Sequence, residues 1–282
     1  MTTTVTLTTV DEDSLAGAPA PHIDVLVDSI DVGVSFVTVW RTVNGRALKV
    51  RGLVNVASSS AVTARDFEAP FGVECSYRVE QFDSGGLFVS YSAATTATLP
   101  SPTVGTMWVH NPLDPSTSVA VMVLSGAASE ITRPSSAEVF RIPGRSVGVA
   151  ITGTRHGVEG VVLDCMTETS VDGAKFDALF GAYDDDTVPI LCVRTRPEML
   201  LPPTLFALVA SPRAVPLDNR HGGTAISWLV NGDEVAPPAE AIIVALLDYA
   251  DFTAFYATYA AFTAAYADYT DASRDYTIAG TA

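Results

Sequence analysis

Val37-Thr38-Val39-Trp40-Arg41-Thr42-Val43-Asn44-Gly45-Arg46-Ala47-Leu48-Lys49-Val50-Arg51 places an Asn-Gly pair between two runs of β-favouring residues. Asn and Gly both tolerate positive φ, and this dipeptide between alternating runs is the strongest short-range hairpin signal. The stretch therefore reads as two antiparallel strands, with Trp40 turned inward to pack between sheets. Similar β-rich runs flank it at 23–30, 32–43, 47–56, 73–82 and 87–91, the last two joined by Asp83-Ser84-Gly85-Gly86. That spacing is the signature of a mainly β chain. Residues 21–100 read as an immunoglobulin- or fibronectin-III-like β-sandwich with Trp40 and Tyr77 in its core.

Punctuation divides the rest. The 30 residues 84–113 contain no Asp, Glu, Lys or Arg, and Leu99-Pro100-Ser101-Pro102 within them reads as a linker. Residues 1–20 form an N-terminal arm before the first domain. Residues 101–236 read as a second β-sandwich or barrel, with strand-like runs at 106–110, 119–124, 147–152, 160–166, 188–194 and 204–210. One short helix is expected over 170–183, where Phe176, Leu179 and Phe180 recur at helical spacing before Asp184-Asp185-Asp186. Within 133–149, Gly144-Arg145 reads as a turn, with Phe140 and Val147 facing the core and Arg145 bracing a loop or a partner.

Residues 237–282 differ in texture. They carry a degenerate repeat: Tyr249-Ala-Asp-Phe-Thr, Tyr259-Ala-Ala-Phe-Thr and Tyr266-Ala-Asp-Tyr-Thr. Tyr249, Phe252, Phe255, Tyr256, Tyr259, Phe262, Tyr266 and Tyr269 fall within one broad helical stripe. The repeat intervals do not fit a continuous coiled coil, so short helical turns capped by Thr or Asp are expected. These eight aromatics are a candidate interface, against the chain's own body or a second copy.

The chain has 16 Lys+Arg against 32 Asp+Glu, a net charge of −16, and no cluster of cations for a phosphate backbone; nucleic acid is not an expected partner. With 48% hydrophobic and 17% charged residues, much of the surface must be uncharged, as interfaces often are. The N-terminus lacks the basic start and apolar core of a signal peptide, and the apolar run at 241–247 is too short to span a bilayer, so a soluble protein without membrane insertion is expected. Cys75, Cys165 and Cys192 form no CxxC and read as buried thiols of a reducing cytosol.

Catalytic patterns are missing: there is no Walker loop, G-x-G-x-x-G, G-x-S-x-G, H-E-x-x-H or EF-hand loop. His22, His110, His156 and His221 are spread along the chain beside Pro, Asn or Gly and read as turn or surface residues. No catalytic residue, metal site or cofactor is expected. Two classes stay open here: a carbohydrate-binding module using Trp108 or Trp228 as a stacking platform for surface glycans, and a polysaccharide hydrolase with spatially paired carboxylates. In Asp66-x-Glu68-x-Pro70-x-Gly72, at the entrance to the strand carrying Tyr77, Pro and Gly would set a turn. The acids would cap backbone N–H groups or pair with Arg41, Arg51 or Arg78.

Asp66-Phe-Glu-Ala-Pro-Phe-Gly-Val-Glu-Cys-Ser-Tyr77-Arg-Val, Met107-Trp108-Val-His-Asn-Pro112-Leu-Asp-Pro115, Phe140-Arg-Ile-Pro-Gly144-Arg145-Ser-Val-Gly-Val and the Tyr-rich repeats occur in this order. Together they resemble minor tail proteins of siphoviruses that infect actinobacteria, over about residue 20 to the end. In that family the repeats often carry Trp where this chain has Tyr249, Tyr259 and Tyr266. The scarcity of lysine, only Lys49 and Lys175, fits a GC-rich genome. The resemblance implies a structural, non-enzymatic component of the tail tip, made in the host cytoplasm and residing in the virion. Such a component is similar in plan to distal tail proteins, whose rings join the tail tube to the host-recognition apparatus. Its implied partners are other copies of itself and other phage tail proteins.

Overall fold

A computed structural model describes residues 3–15, 17–57, 61–181, 187–217, 222–239, 255–256 and 258–266. The chain forms two compact units, Met1–Pro237 and Pro238–Ala282. Both contain what their sequences favour: β-branched runs as strands in the first, an alanine-rich helix in the second.

The first unit begins with β1 (Thr4–Val10), β2 (His22–Asp28), β3 (Phe36–Val43), β4 (Arg46–Lys49), β5 (Val56–Ala57), β6 (Val62–Asp66), β7 (Glu74–Phe82), β8 (Phe88–Tyr91) and β9 (Thr95–Thr98). One sheet runs β1-β2-β6; the other runs β4-β3-β7-β8, with β5 on β3 and β9 on β7. Alternate residues of both sheets fill one core, including Ile23, Val25 and Val27 of β2, Val37 and Val39 of β3, and Cys75, Tyr77 and Val79 of β7. The β3–β4 turn has φ of 49° at Asn44 and 80° at Gly45, and Val43 pairs with Arg46 across it.

Three expectations change here. The register of β3 buries Arg41, not Trp40. Trp40 lies on the opposite face, half-buried, donating from Nε1 to Glu80 at 2.8 Å with the Lys49 ammonium 5.3 Å from its ring. The supposed N-terminal arm contains a full strand, because Thr4 to Val10 pairs with Asp28 to His22 along its length. Leu99 in the expected linker is fully buried, and its carbonyl accepts from the Gly72 N–H at 2.8 Å.

The unit continues with β10 (Thr106–Asn111), β11 (Asp114–Val123), β12 (Ser135–Phe140), β13 (Val149–Arg155), β14 (Val161–Val162), β15 (Cys165–Thr167) and α1 (Ser170–Ala178). There follow β16 (Ile190–Arg194), β17 (Leu205–Leu208), β18 (Arg213–Pro216), β19 (Ile226–Leu229) and β20 (Asn231–Glu234). Nine of these strands make an antiparallel sheet, β14-β20-β17-β16-β10-β11-β15-β19-β18, that curls into a half-barrel. Its concave core holds Met107, Val109, Val119, Val121, Leu191, Val193 and Leu205.

Helix α1 supplies Phe176 and Leu179 to that core. Thr169 caps it, accepting from the Asp172 N–H. The Phe176 ring lies 4.8 Å from the Trp228 ring. The helix is shorter than the 170–183 expected, ending at Ala178 in tight turns that reach Gly181 at φ 88°. Asp184 to Asp186 lie outside the described residues.

The expected packing of 133–149 is overturned. Strands β12 and β13 form a separate two-stranded hairpin in which every strand residue is exposed. Phe140 and Val147 are 46% and 76% exposed rather than in a core. Only the turn follows expectation: Gly144 has φ 87° and the Arg145 N–H reaches the Ile142 carbonyl at 3.1 Å.

In the second unit, α2 (Tyr259–Ala265) is capped by Thr258, which accepts from the Ala261 N–H. Tyr256, Phe262 and Tyr266 form a local ring cluster, with centroids 5.4–5.9 Å apart and the two tyrosine hydroxyls 3.0 Å apart. Phe255 and Tyr259 are exposed. Tyr249, Phe252 and Tyr269 lie outside the described residues. Among those described, no helix is long and apolar enough to cross a membrane.

Because Phe176 is fully buried, Phe176→Ala is expected to cost about 3–5 kcal/mol, read as a lower urea midpoint with secondary structure retained below it.

Candidate functional site

The largest concentration of buried charge lies where the first core meets the convex face of the half-barrel. Strands β10 and β16 are covered on both sides. Met107, Val109, Leu191 and Val193 point into the barrel, while Trp108, His110, Cys192 and Arg194 point the other way and are equally buried. The register pairs Trp108 with Arg194 and His110 with Cys192, so these four share one face.

Against that face sits Asp66 at the end of β6. Arg41 Nη1 lies 2.5 and 2.6 Å from its two oxygens, the Tyr77 hydroxyl donates at 2.8 Å, and the Glu68 backbone N–H at 3.0 Å. One carboxylate thus ties β6 of one sheet to β3 and β7 of the other. Glu68 accepts from Arg51 Nε at 2.9 Å and Nη2 at 2.8 Å, and lies 3.8 Å from Arg41 Nη2. Its carbonyl accepts from the Thr204 hydroxyl at 2.7 Å, reaching into the half-barrel. Arg194 donates to the carbonyls of Pro21 and Ala69 at 2.9 and 3.1 Å, its guanidinium 4.7 Å from the Phe71 ring.

Burial governs the protonation of this cluster. It opposes charge on Arg41, yet the Asp66 and Glu68 carboxylates overcome that and hold the guanidinium above its ordinary range. Burial raises Glu68, with Arg41 and Arg51 pulling back. It lowers Arg194 to about 10, still charged at neutral pH, and raises the Tyr77 phenol. Burial, then Arg194 and Arg51, drives His110 well below 6.5 and keeps it neutral. Burial pushes the Cys75 and Cys165 thiols up to about 12 and raises Cys192 too, so thiolate nucleophiles are scarce at neutral pH. Guanidinium, phenol and amide donors occupy the Asp66 oxygens, so this carboxylate braces the two sheets.

The structure gathers several residues singled out in the sequence. Asp66, Glu68, Pro112 and Pro115 line one cleft of about 350 Å³ together with Arg51 and His110. Pro70 lines a different cleft, and Gly72 adopts φ 65° at a point where a Cβ would strike Ser101 Oγ at 2.5 Å. Gly144 and Arg145 sit apart, at the hairpin turn. His110 and Arg194 escaped the sequence reading: His110 is a fully buried strand residue, not a turn residue, and neither carries a spacing motif. Both Trp platforms are withdrawn as well. Trp108 and Trp228 are 8% and 3% exposed, their Nε1 groups donating to Glu12 and Thr167. No group of three or more metal-ligating side chains occurs among the described residues.

The second feature is the β12–β13 hairpin, with Phe140 opposite Val149 and Glu138 opposite Ile151. Val139, Phe140, Ile142, Val147, Val149 and Ile151 are each at least 42% exposed. Its base is tied by the His156 N–H to the Pro134 carbonyl at 2.8 Å, and by Arg133 to the Leu200 carbonyl at 3.2 Å.

Asp66→Ala strands Arg41 without its close partner and is expected to cost about 3–5 kcal/mol, whereas Arg41→Leu with Asp66→Val costs less than the single change; denaturant titration compares them. For His110, the unfolded chain takes up a proton near pH 6.5 while the folded chain does not. Stability is therefore lost as pH falls below that value, by up to about 1.4 kcal/mol per pH unit. His110→Gln should flatten that slope between pH 7 and 5; an unchanged slope refutes the assignment. No protein-family model, curated protein or solved structure matches this chain.

Proposed function

We propose that this chain is a structural, self-assembling component of a phage tail tip, joining the tail tube to the host-recognition apparatus through contacts with its own copies and with other tail proteins. The observation that carries the proposal is the exposed apolar hairpin. A two-stranded ribbon alone is marginal in water. Six large apolar side chains on one projecting element form a patch of the kind that marks protein contacts. Fully burying each is worth about 1.5–3 kcal/mol, so a partner that covers them gains substantially.

Other features support the same reading. The two sheets spanning residues 4–98 share one core, as the immunoglobulin-like reading of 21–100 requires. The charged seam locks that part to the half-barrel, suiting a rigid building block better than a hinged enzyme. The order of the four sequence pieces points to the tail tip in particular.

Purified chain is expected to form a defined oligomer by light scattering and native mass spectrometry. Val147→Ser with Ile151→Ser should weaken it at least about tenfold while leaving the unfolding midpoint within about 0.5 kcal/mol of the original. Immunogold labelling at the tail tip of purified virions tests the placement. A chain that is monomeric at all concentrations refutes self-assembly.

A further inference from the structure

We infer that the β12–β13 hairpin docks on the acidic body of a second copy of this chain, in a head-to-tail contact, rather than pairing with that copy's own hairpin. The inference rests on the self-assembly reading above and adds the geometry of the contact.

Charge decides between the two arrangements. Residues 133–155 hold Arg133, Arg141, Arg145 and Arg155 against Glu138 alone, a net +3. The whole chain carries −16, which leaves −19 on everything else. Arg141 and Arg145 lie at the turn beside exposed Ile142 and Val147, so the tip joins basic groups to apolar side chains. Two such tips brought together bury like charges against each other, which is destabilising. A tip laid on the acidic surface of another copy neutralises its arginines while covering its apolar side chains.

The faces of the ribbon agree. Phe140, Val149 and Ile151 share one face with Glu138, and Val139 and Ala150 share the other with Ala137 and Thr152. Both faces carry apolar side chains and both are exposed, which suits insertion between surfaces of a partner rather than edge pairing with a twin. A contact in which one surface receives and a different one inserts is heterologous, and its repetition yields a closed ring or a filament, not an isolated two-fold dimer.

A hairpin-less chain separates the alternatives. None of the residues in either core lies within 135–155, and the backbones of Pro134 and His156 are already hydrogen bonded. A short Gly-Ser linker therefore joins them without disturbing the body. The deleted chain should be monomeric alone, with circular dichroism and an unfolding midpoint close to the full chain. Mixed with full-length protein, it should be incorporated and lower the mean mass of the assembly, because it receives a hairpin but cannot insert one. Full-length assembly should also weaken by roughly tenfold or more between about 0.05 and 0.5 M NaCl. Arg141→Glu with Arg145→Glu should weaken it at low salt, and the Lys replacements should restore it.

If full-length protein assembles but excludes the deleted chain and keeps its mass, head-to-tail docking is overturned and hairpin-to-hairpin pairing stands. If the deleted chain assembles by itself, the hairpin is not the contact. If the full-length chain never assembles, the functional reading itself fails.

Discussion

A single buried carboxylate, Asp66, organises the first half of the molecule. It ends β6 in one sheet and receives Arg41 from β3 and the Tyr77 hydroxyl from β7 in the other, so the two sheets are joined by polar bonds as well as by apolar packing. A charge in such a place is tolerable only when paired and hydrogen bonded. The same requirement fixes the loop that follows: the Glu68 N–H turns back to Asp66, its carboxylate takes Arg51, and its carbonyl takes Thr204 from the half-barrel. Moving any of these strands by one residue would strand a buried ion.

That demand propagates into the second half. Strands β10 and β16 have no solvent face, since the barrel core covers one side and the Asp66–Glu68 region the other. Their outward residues would ordinarily be apolar. Arg194 and His110 break that pattern, and Arg194 is accommodated by the Pro21 and Ala69 carbonyls and the Phe71 ring. Glu12 adds a tie from the N-terminal segment, accepting from Trp108 and Thr103. Buried polar bonds of this sort demand defined geometry.

The hairpin obeys the opposite logic. The body pairs buried Arg41 with Asp66 and Arg51 with buried Glu68, whereas the hairpin displays apolar side chains and basic groups with no covering layer of its own. The chain encloses Arg41 and Arg194 yet leaves Phe140 and Val147 in water.

How far the sequence could be read depended on the range of the interactions involved. The Asn44-Gly45 turn, the short helix α1, the Gly144-Arg145 turn and the mainly β character are local consequences of backbone preference, and they were legible. The acids at 66 and 68 could be expected to meet arginines, but the choice of Arg41 for one and Arg51 for the other depends on strands in different sheets. Trp40 and Arg41 exchanged their expected places because strand alternation names two faces without saying which is inside; the buried Asp66 settled it. His110 looked like a turn residue beside Asn111-Pro112, and only the half-barrel covered it. Phe140 and Val147 looked like core residues, since side-chain character does not reveal whether a covering layer exists. The sequence by itself determined the mainly β character and individual turns such as Asn44-Gly45 and Gly144-Arg145, because those follow from neighbouring φ/ψ preferences, whereas β1 is a strand only through its pairing with β2. Only the tertiary structure decided which face of each strand is buried and which carboxylate meets which guanidinium, because burial and ion pairing are properties of distant segments brought together.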